Sequence, residues 1–265
     1  MTYNIIGDIH GRNNWEKLAD PHKINIFVGD YFDPYEYYSF EDLKQNFLNI
    51  INFAKTNDCI LLLGNHDLHY IHRDDYSRLD SEHAEDILNL FLDNIHMFKG
   101  VAYALNDDIL VSHAGFTTEW LESTGYPISK LTNSTATELA EWANTLFWDG
   151  YTETSKGFRG WVSPMQSCML HFTFSAKAKF SDYYGTSPKQ SPAWVRPGTL
   201  DAYNAMPEGI QIVGHTQVCK VTNIQTTEGN GRIILTDCLG QDQPGSLTIS
   251  ISEDNTVEYN VITLQ

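Results

Sequence analysis

The chain has 265 residues and a formal net charge of −17, because 34 Asp and Glu outnumber 17 Lys and Arg. Such acidity argues against a nucleic acid or an anionic membrane surface as the main partner, since both attract basic faces. No stretch approaches about 18 consecutive apolar residues, and the amino terminus lacks a basic segment followed by an apolar core. We therefore expect neither a membrane span nor a signal peptide, and a cytoplasmic protein.

The first half of the chain alternates apolar runs with helical patterns. Residues 3–6, 25–28 and 59–63 read as buried strands because they are short, apolar and cut off by Gly. Asn13 is expected to cap a short helix, and Ser39 with Asp42 resembles a capping box before a longer helix. This order predicts a mostly parallel sheet.

The second half predicts a different arrangement. Residues 101–105 and 109–111 form a hairpin pattern, two helical stretches follow, and a strand at 211–213 precedes antiparallel strands to the end. Residues 116–209 are predicted to be a lid-like insertion within a single domain of residues 1–265, because compact domains rarely carry so long a connection without a functional reason.

Polar side chains follow five of the predicted strands, where open α/β sheets keep their ligands. Six of these side chains are oxygen or nitrogen donors, a set suited to Mn, Fe or Zn. Two divalent ions about 3.5–4 Å apart, bridged by one carboxylate and a hydroxide, would use such a set of ligands. The resulting centre would carry a small net positive charge, which would attract an anionic phosphate. The six donors are Asp8, His10, Asp30, Asn65, His113 and His215.

Five motifs in the same order resemble those of the calcineurin-like metallophosphoesterases. They are nearest to the branch with the PPP-type serine/threonine phosphatases and the symmetric diadenosine tetraphosphatases. The motifs are Gly7-Asp8-Ile9-His10-Gly11, Gly29-Asp30-Tyr31-Phe32-Asp33, Gly64-Asn65-His66-Asp67, Ser112-His113-Ala114-Gly115 and Gly214-His215-Thr216.

The resemblance implies an α/β fold, a four-layer αββα sandwich of two mixed sheets with flanking helices, and the insertion over the active-site face. It assigns Asp8, His10 and Asp30 to the first metal, and Asp30, Asn65, His113 and His215 to the second. The bridging hydroxide would attack phosphorus, with His66 as the general acid and Asp33 orienting it. Arg196 and Asn65 would contact the phosphate, and manganese is the preferred ion, with iron or zinc as alternatives.

The chain also departs from the family pattern. The phosphatases usually carry Asp-Arg-Gly where this chain has Asp33-Pro34-Tyr35, so one phosphate-binding arginine is missing, and Arg12 or Arg73 is a candidate replacement. Three functions stay open. The first is a phosphomonoesterase that acts on phosphorylated substrates, including phosphoproteins. The second is a dinucleoside polyphosphate hydrolase, whose nucleobase could stack on the tyrosine-rich loop. The third is a non-catalytic binding module on the same fold.

Overall fold

The computed structural model describes residues 1–72, 78–131, 134–155 and 184–264. Their regular elements in chain order, apart from the short 3₁₀ helices Ile95–Met97 and Ile128–Lys130, are β1 (Thr2–Ile6), α1 (Trp15–Leu18), β2 (Ile24–Phe27), α2 (Phe40–Thr56), β3 (Cys59–Leu62), α3 (Asn65–His72), α4 (Ala84–Asn94), β4 (Phe98–Gly100), β5 (Ala102–Asn106), β6 (Ile109–Ser112), α5 (Thr118–Ser123), α6 (Ala136–Ser155), α7 (Pro197–Ala202), β7 (Ile210–Val213), β8 (Thr222–Gln225), β9 (Arg232–Leu235), β10 (Gly245–Ile251) and β11 (Val257–Thr263).

The chain divides into two units. The first comprises the described residues of Met1–Lys99, Thr216–Thr222 and Leu235–Gln265, and the second those of Gly100–His215 and Asn223–Ile234. The first unit contains a sheet of order β11-β10-β1-β2-β3-β4, and the second a sheet of order β5-β6-β7-β9-β8. Both sheets are mixed, so the predicted α/β class with two mixed sheets and helices is confirmed. The limits of the predicted insertion, residues 116–209, stay a prediction, and 132–133 and 156–183 of it lie outside the described residues.

In the first unit, β1, β2 and β3 run parallel, with Ile5 opposite Ile26 and Asn25 opposite Cys59. β10 joins the other edge of β1 in antiparallel register. The side chains of Ile5, Ile6 and Phe27 are fully buried, and their burial holds the sheet in register. Because parallel strands end at one edge, the loops after β1, β2 and β3 meet there.

In the second unit, β5 and β6 form the predicted antiparallel hairpin. β6 then pairs in parallel with β7, so that Ser112 lies opposite Val213. The residues that follow these two strands therefore leave the sheet at neighbouring positions.

The two predicted helix caps had different outcomes. The Ser39 side chain accepts a hydrogen bond from the Asp42 backbone N–H at 3.2 Å, which confirms the cap of α2. The predicted cap by Asn13 is wrong: Asn14 occupies the N-cap of α1 without a side-chain cap bond, and its Nδ2 donates instead to the Leu239 carbonyl at 2.7 Å. That long-range bond outcompetes the local one.

Candidate functional site

The loops after β1 and β2 bring three predicted metal ligands together in the first unit. Asp8, His10 and Asp30 are all buried, and His10 Nε2 lies 3.6 Å from Asp30 Oδ2 and 4.0 Å from Asp8 Oδ2. The two loops are joined through their backbones, since the His10 N–H donates to the Asp30 carbonyl at 2.6 Å. One imidazole nitrogen therefore faces two carboxylates.

His10 is held in the form that a metal ligand needs. Its Nδ1 lies 3.0 Å from the Phe32 carbonyl, and because a carbonyl only accepts hydrogen bonds, Nδ1 carries the proton and Nε2 the lone pair. Burial lowers the pKa of His10 to about 3, so the ring is neutral at pH 7. A neutral imidazole oriented by a carbonyl, next to two carboxylates, fits a divalent cation.

Asp67 ties the loops after β2 and β3 to each other. Its carboxylate accepts hydrogen bonds from the backbone N–H groups of Asp30 at 2.7 Å, Tyr31 at 2.9 Å and Gly64 at 2.8 Å. Burial and the nearby Asp30 carboxylate raise the pKa of Asp67, and the three N–H groups offset part of that rise. Asp67 stands in the third of the five motifs, but the sequence indicated no role for it.

The start of α3 places two further predicted residues against this loop. Asn65 is the first residue of α3 and is buried. The backbone N–H of His66 donates to Asp30 Oδ1 at 2.8 Å. The predicted general acid is thus fixed by its own main chain to the predicted bridging ligand.

The His66 ring is oriented by Asp33. Nδ1 lies 2.7 Å from Asp33 Oδ2, and the hydroxyl of Tyr70 donates to the other oxygen of that carboxylate. Burial raises the pKa of Asp33, and its hydrogen bonds with His66 and Tyr70 counter the rise. Tyr70 was not singled out from the sequence, because it lies outside the five motifs.

His69 adds a third side chain to this pair. Ligand atoms of Asp33, His66 and His69 all lie within 4.8 Å of one another, the spacing of a possible cation site. However, Asp33 Oδ2 and His66 Nδ1 already share a hydrogen bond, so a cation there would have to replace it. We therefore assign the Asp33–His66 pair to orientation of the ring.

In the second unit, His113 and His215 follow the parallel strands β6 and β7. Their ring centroids are 5.1 Å apart, and the Gly214 N–H donates to the His113 carbonyl at 2.9 Å. His215 Nε2 lies 3.0 Å from the Trp194 carbonyl, which leaves Nδ1 as the nitrogen with the lone pair. Arg196 Nη1 donates to the His215 carbonyl at 2.8 Å, so this predicted phosphate ligand lies beside a predicted metal ligand.

Several of these residues have left-handed backbone conformations. The φ angles are 45° at His10, 55° at Asp30 and 58° at Asp33 in the first unit, and 58° at His215 in the second. Residues other than glycine rarely adopt a positive φ. Where they do, the backbone strain commonly marks a functional site. These four residues lie in the loops that follow β1, β2 and β7.

Gly29 permits the close approach of the loops after β2 and β3. Its φ is +115°, and a Cβ there would lie 2.7 Å from Gly64 Cα and 2.9 Å from the Leu63 carbonyl carbon. We expect Gly29→Ala to lower the free energy of unfolding by about 3 kcal/mol through strain and overlap, measured by urea denaturation.

Gly125→Ala is the matched control for that substitution. Gly125 also has a positive φ, +86°, but nothing lies within 4 Å of its added Cβ. It should cost only about 1–2 kcal/mol, the backbone strain alone. Equal losses for the two variants would contradict the overlap at Gly29.

The arginines differ from expectation. Arg12 was one candidate replacement for the arginine missing at position 34, but its Nη2 lies 3.3 Å from both carboxylate oxygens of Glu36. The other candidate, Arg73, lies outside the described residues. The arginine that contacts His66 is Arg78, whose Nη2 lies 2.9 Å from His66 Nε2. Arg78 belongs to no motif, so the sequence carried no signal for it.

The tyrosines of the loop after β2 are divided between core and surface. Tyr31 is buried and its hydroxyl donates to the Leu62 carbonyl at 3.1 Å, so it belongs to the core. Tyr35 is 53% exposed and Tyr37 is 95% exposed. Tyr38 is half-buried, so Tyr35 and Tyr37 are the most exposed of the four.

Across the described part of the chain, no helix has the length and apolar character needed to cross a lipid bilayer.

Comparison with known proteins gives a family and a set of similar folds. The family model for calcineurin-like phosphoesterases matches residues 1–218. No curated protein matches the chain in sequence. A cold-active protein tyrosine phosphatase structure matches with a TM-score of 0.56 at 15% identity, covering 97% of this chain and 78% of that one.

Two further solved structures have a comparable likeness. A cold-active protein-tyrosine phosphatase of a psychrophilic Shewanella species gives a TM-score of 0.52 at 15% identity, covering 100% of this chain and 80% of that one. A protein serine/threonine phosphatase from Saccharomyces cerevisiae gives 0.52 at 13% identity, with the same coverages of 100% and 80%. At these identities the likeness concerns the fold.

Proposed function

The chain belongs to the calcineurin-like phosphoesterase family, and from this premise we propose that it is a metal-dependent phosphomonoesterase whose substrates include phosphoproteins. The observation that carries the proposal is the double anchoring of His66. Its backbone N–H donates to Asp30 Oδ1 at 2.8 Å, and its Nδ1 lies 2.7 Å from Asp33 Oδ2. A candidate proton donor is thereby held next to a candidate metal ligand.

The proposed ligands divide between two divalent cations. Asp8, His10 and Asp30 would hold the first, as the orientation of His10 Nε2 toward both carboxylates supports. By family resemblance, Asp30, Asn65, His113 and His215 would hold the second. When bound, the cations supply positive charge for the phosphoryl oxygens and lower the pKa of water. Manganese is the preferred ion, with iron or zinc as alternatives for this nitrogen and oxygen donor set.

The residues of the chain orient the substrate and supply a proton to its leaving group. With protons on both ring nitrogens, His66 would donate the Nε2 proton to the leaving oxygen, a contribution of about 10²–10⁴ in rate, while Asp33 accepts from Nδ1 and keeps the ring in position. Tyr70 holds Asp33, and Asp67 holds the loop that carries Asp30. Arg196 and Asn65 are proposed to contact the phosphate, for which the planar guanidinium is well suited.

A dinucleoside polyphosphate hydrolase is the second candidate. It is favoured by Tyr37, because an exposed aromatic ring can stack on a nucleobase. The phosphoprotein alternative is favoured by the likeness to solved structures described as protein phosphatases. The two candidates differ in the leaving group that they accept.

Turnover of a substrate panel separates these candidates. The purified chain is assayed with Mn²⁺, Fe²⁺ or Zn²⁺ on p-nitrophenyl phosphate, on phosphotyrosine and phosphoserine peptides, and on diadenosine tetraphosphate. We expect turnover of the monoesters, including at least one peptide. Turnover of the dinucleotide alone would favour the second candidate. Absence of turnover with every metal would contradict both and favour a binding module.

Removal of metal should abolish activity and reduce stability. After chelation and desalting, we expect turnover to fall at least about 100-fold and to return when Mn²⁺ is added. Since the metal binds the folded state, Mn²⁺ at 100 times its dissociation constant should add about 2.7 kcal/mol to the free energy of unfolding. Calorimetric melting with and without Mn²⁺ measures this, and identical melting curves would contradict a metal site.

A further inference from the structure

Arg78 has an unusual set of partners for an arginine beside an acidic site. Its Nη2 lies 2.9 Å from His66 Nε2, and its Nη1 donates to the Asp33 carbonyl at 2.9 Å. Its Cζ lies 3.6 Å from the centroid of the Tyr35 ring, so the guanidinium rests on the face of that ring. Three separate contacts therefore fix the plane of the guanidinium.

None of these partners neutralises the charge of Arg78. They are an imidazole nitrogen, a backbone carbonyl and an aromatic face. In the part of the chain that the structure describes, no carboxylate oxygen lies within ion-pair distance of the Arg78 guanidinium. Arg12 differs, because its Nη2 lies 3.3 Å from both carboxylate oxygens of Glu36. Arg78 thus keeps its positive charge for an anion from outside the chain.

The position of Arg78 identifies that anion. In the proposed mechanism the leaving oxygen of the substrate approaches His66 Nε2 within about 2.6–3.2 Å. The guanidinium contacts this same nitrogen, so an arriving substrate displaces it from Nε2. The other oxygens of the phosphoryl group are then the nearest acceptors for its N–H groups, and a fork of two parallel donors matches two phosphate oxygens.

We propose that Arg78 binds the substrate's phosphoryl oxygens in place of the arginine that is missing at Pro34, and that Tyr35 is the positioning residue that holds its guanidinium. The two departures in Asp33-Pro34-Tyr35 then have one explanation. Pro34 stands where the family pattern has an arginine, and the Tyr35 ring supports the guanidinium of Arg78, which comes from a distant part of the chain. The inference rests on the proposed function, since it takes His66 as the group that meets the leaving oxygen.

Binding of inorganic phosphate tests the inference directly. Titration calorimetry with the Mn²⁺-loaded protein gives the dissociation constant, and competitive inhibition of p-nitrophenyl phosphate turnover gives the inhibition constant. We expect Arg78→Ala to weaken phosphate binding about 10- to 100-fold by both measures, the usual effect of losing charged hydrogen bonds. Arg78→Lys should recover part of the loss, because it restores the charge and not the fork.

Variants of the platform and of a distant arginine serve as controls. Tyr35→Phe keeps the ring and should bind phosphate like the wild type, whereas Tyr35→Leu should weaken binding about 2- to 5-fold. Arg232→Ala removes an exposed arginine of β9 in the second unit and should leave phosphate binding unchanged. Metal content and melting temperature are measured for every variant, so that a loss of metal or of fold is recognised.

The outcomes distinguish this inference from the proposed function. Unchanged phosphate affinity in Arg78→Ala at full metal content, or a wild type that binds no phosphate, would overturn the role of Arg78. A wild type that binds phosphate through Arg78 and hydrolyses no ester would overturn the phosphomonoesterase and leave the anion site standing.

Discussion

Replacing His66 by Asn should slow hydrolysis of an alkyl phosphate by about 10²–10⁴ and leave the metal content unchanged. The NH₂ group of Asn can still donate a hydrogen bond to the Asp33 carboxylate, but it cannot deliver a proton to a leaving oxygen. The main-chain bond from residue 66 to Asp30 Oδ1, at 2.8 Å, does not depend on the side chain, so the loop that carries Asp30 stays in place.

The dependence on the leaving group makes this prediction specific. p-Nitrophenolate leaves without protonation, so its ester should lose much less rate than an alkyl ester in the same variant. His22→Asn is the matched control: His22 is an exposed histidine in the first unit, and its substitution should change neither rate. Metal content is measured by mass spectrometry. Equal loss on both esters, or none on either, would remove His66 from the role of proton donor.

The positions of the candidate metal ligands could be predicted from the sequence, because these residues follow the ends of strands. Asp8, Asp30 and Asn65 each follow a strand of one parallel set, and an apolar run that stops at Gly marks such a place without knowledge of the rest of the fold. His113 and His215 follow a second parallel pair in the same manner. Their grouping in each unit was therefore readable from local patterns.

Residues that act through long-range contacts could not be read in this way. Arg78 reaches Asp33 across 45 positions, and no periodicity or motif records that contact. Asp67 reaches the backbone of Asp30 across 37 positions. The edge strand β4 was also missed, because its three residues are too few to show alternation. In each case tertiary packing, and not local pattern, determines the position.

Replacing Asp30 by Asn should abolish metal binding without harming the metal-free fold. Asn tolerates the left-handed conformation of this position, φ 55°, as well as Asp does. Its carbonyl oxygen can keep the bond from the His66 N–H, which directs the new NH₂ group toward His10 Nε2, 3.6 Å from Oδ2 in the wild type. The NH₂ group then donates to the lone pair that a cation needs, and we expect metal affinity and turnover to fall by more than about 100-fold.

In the metal-free protein, the same substitution should preserve or raise thermal stability. Asp30 lies near three other buried acids, Asp8, Asp33 and Asp67, so removing its charge relieves repulsion. We therefore expect the melting temperature of metal-free Asp30→Asn to equal or exceed that of the metal-free wild type, while the stabilisation by Mn²⁺ disappears. Asp242→Asn, an exposed change in the same unit, should keep that stabilisation. A variant at Asp30 that kept full Mn²⁺ binding would show that this carboxylate holds no cation, because the only atom replaced is the oxygen that faces His10.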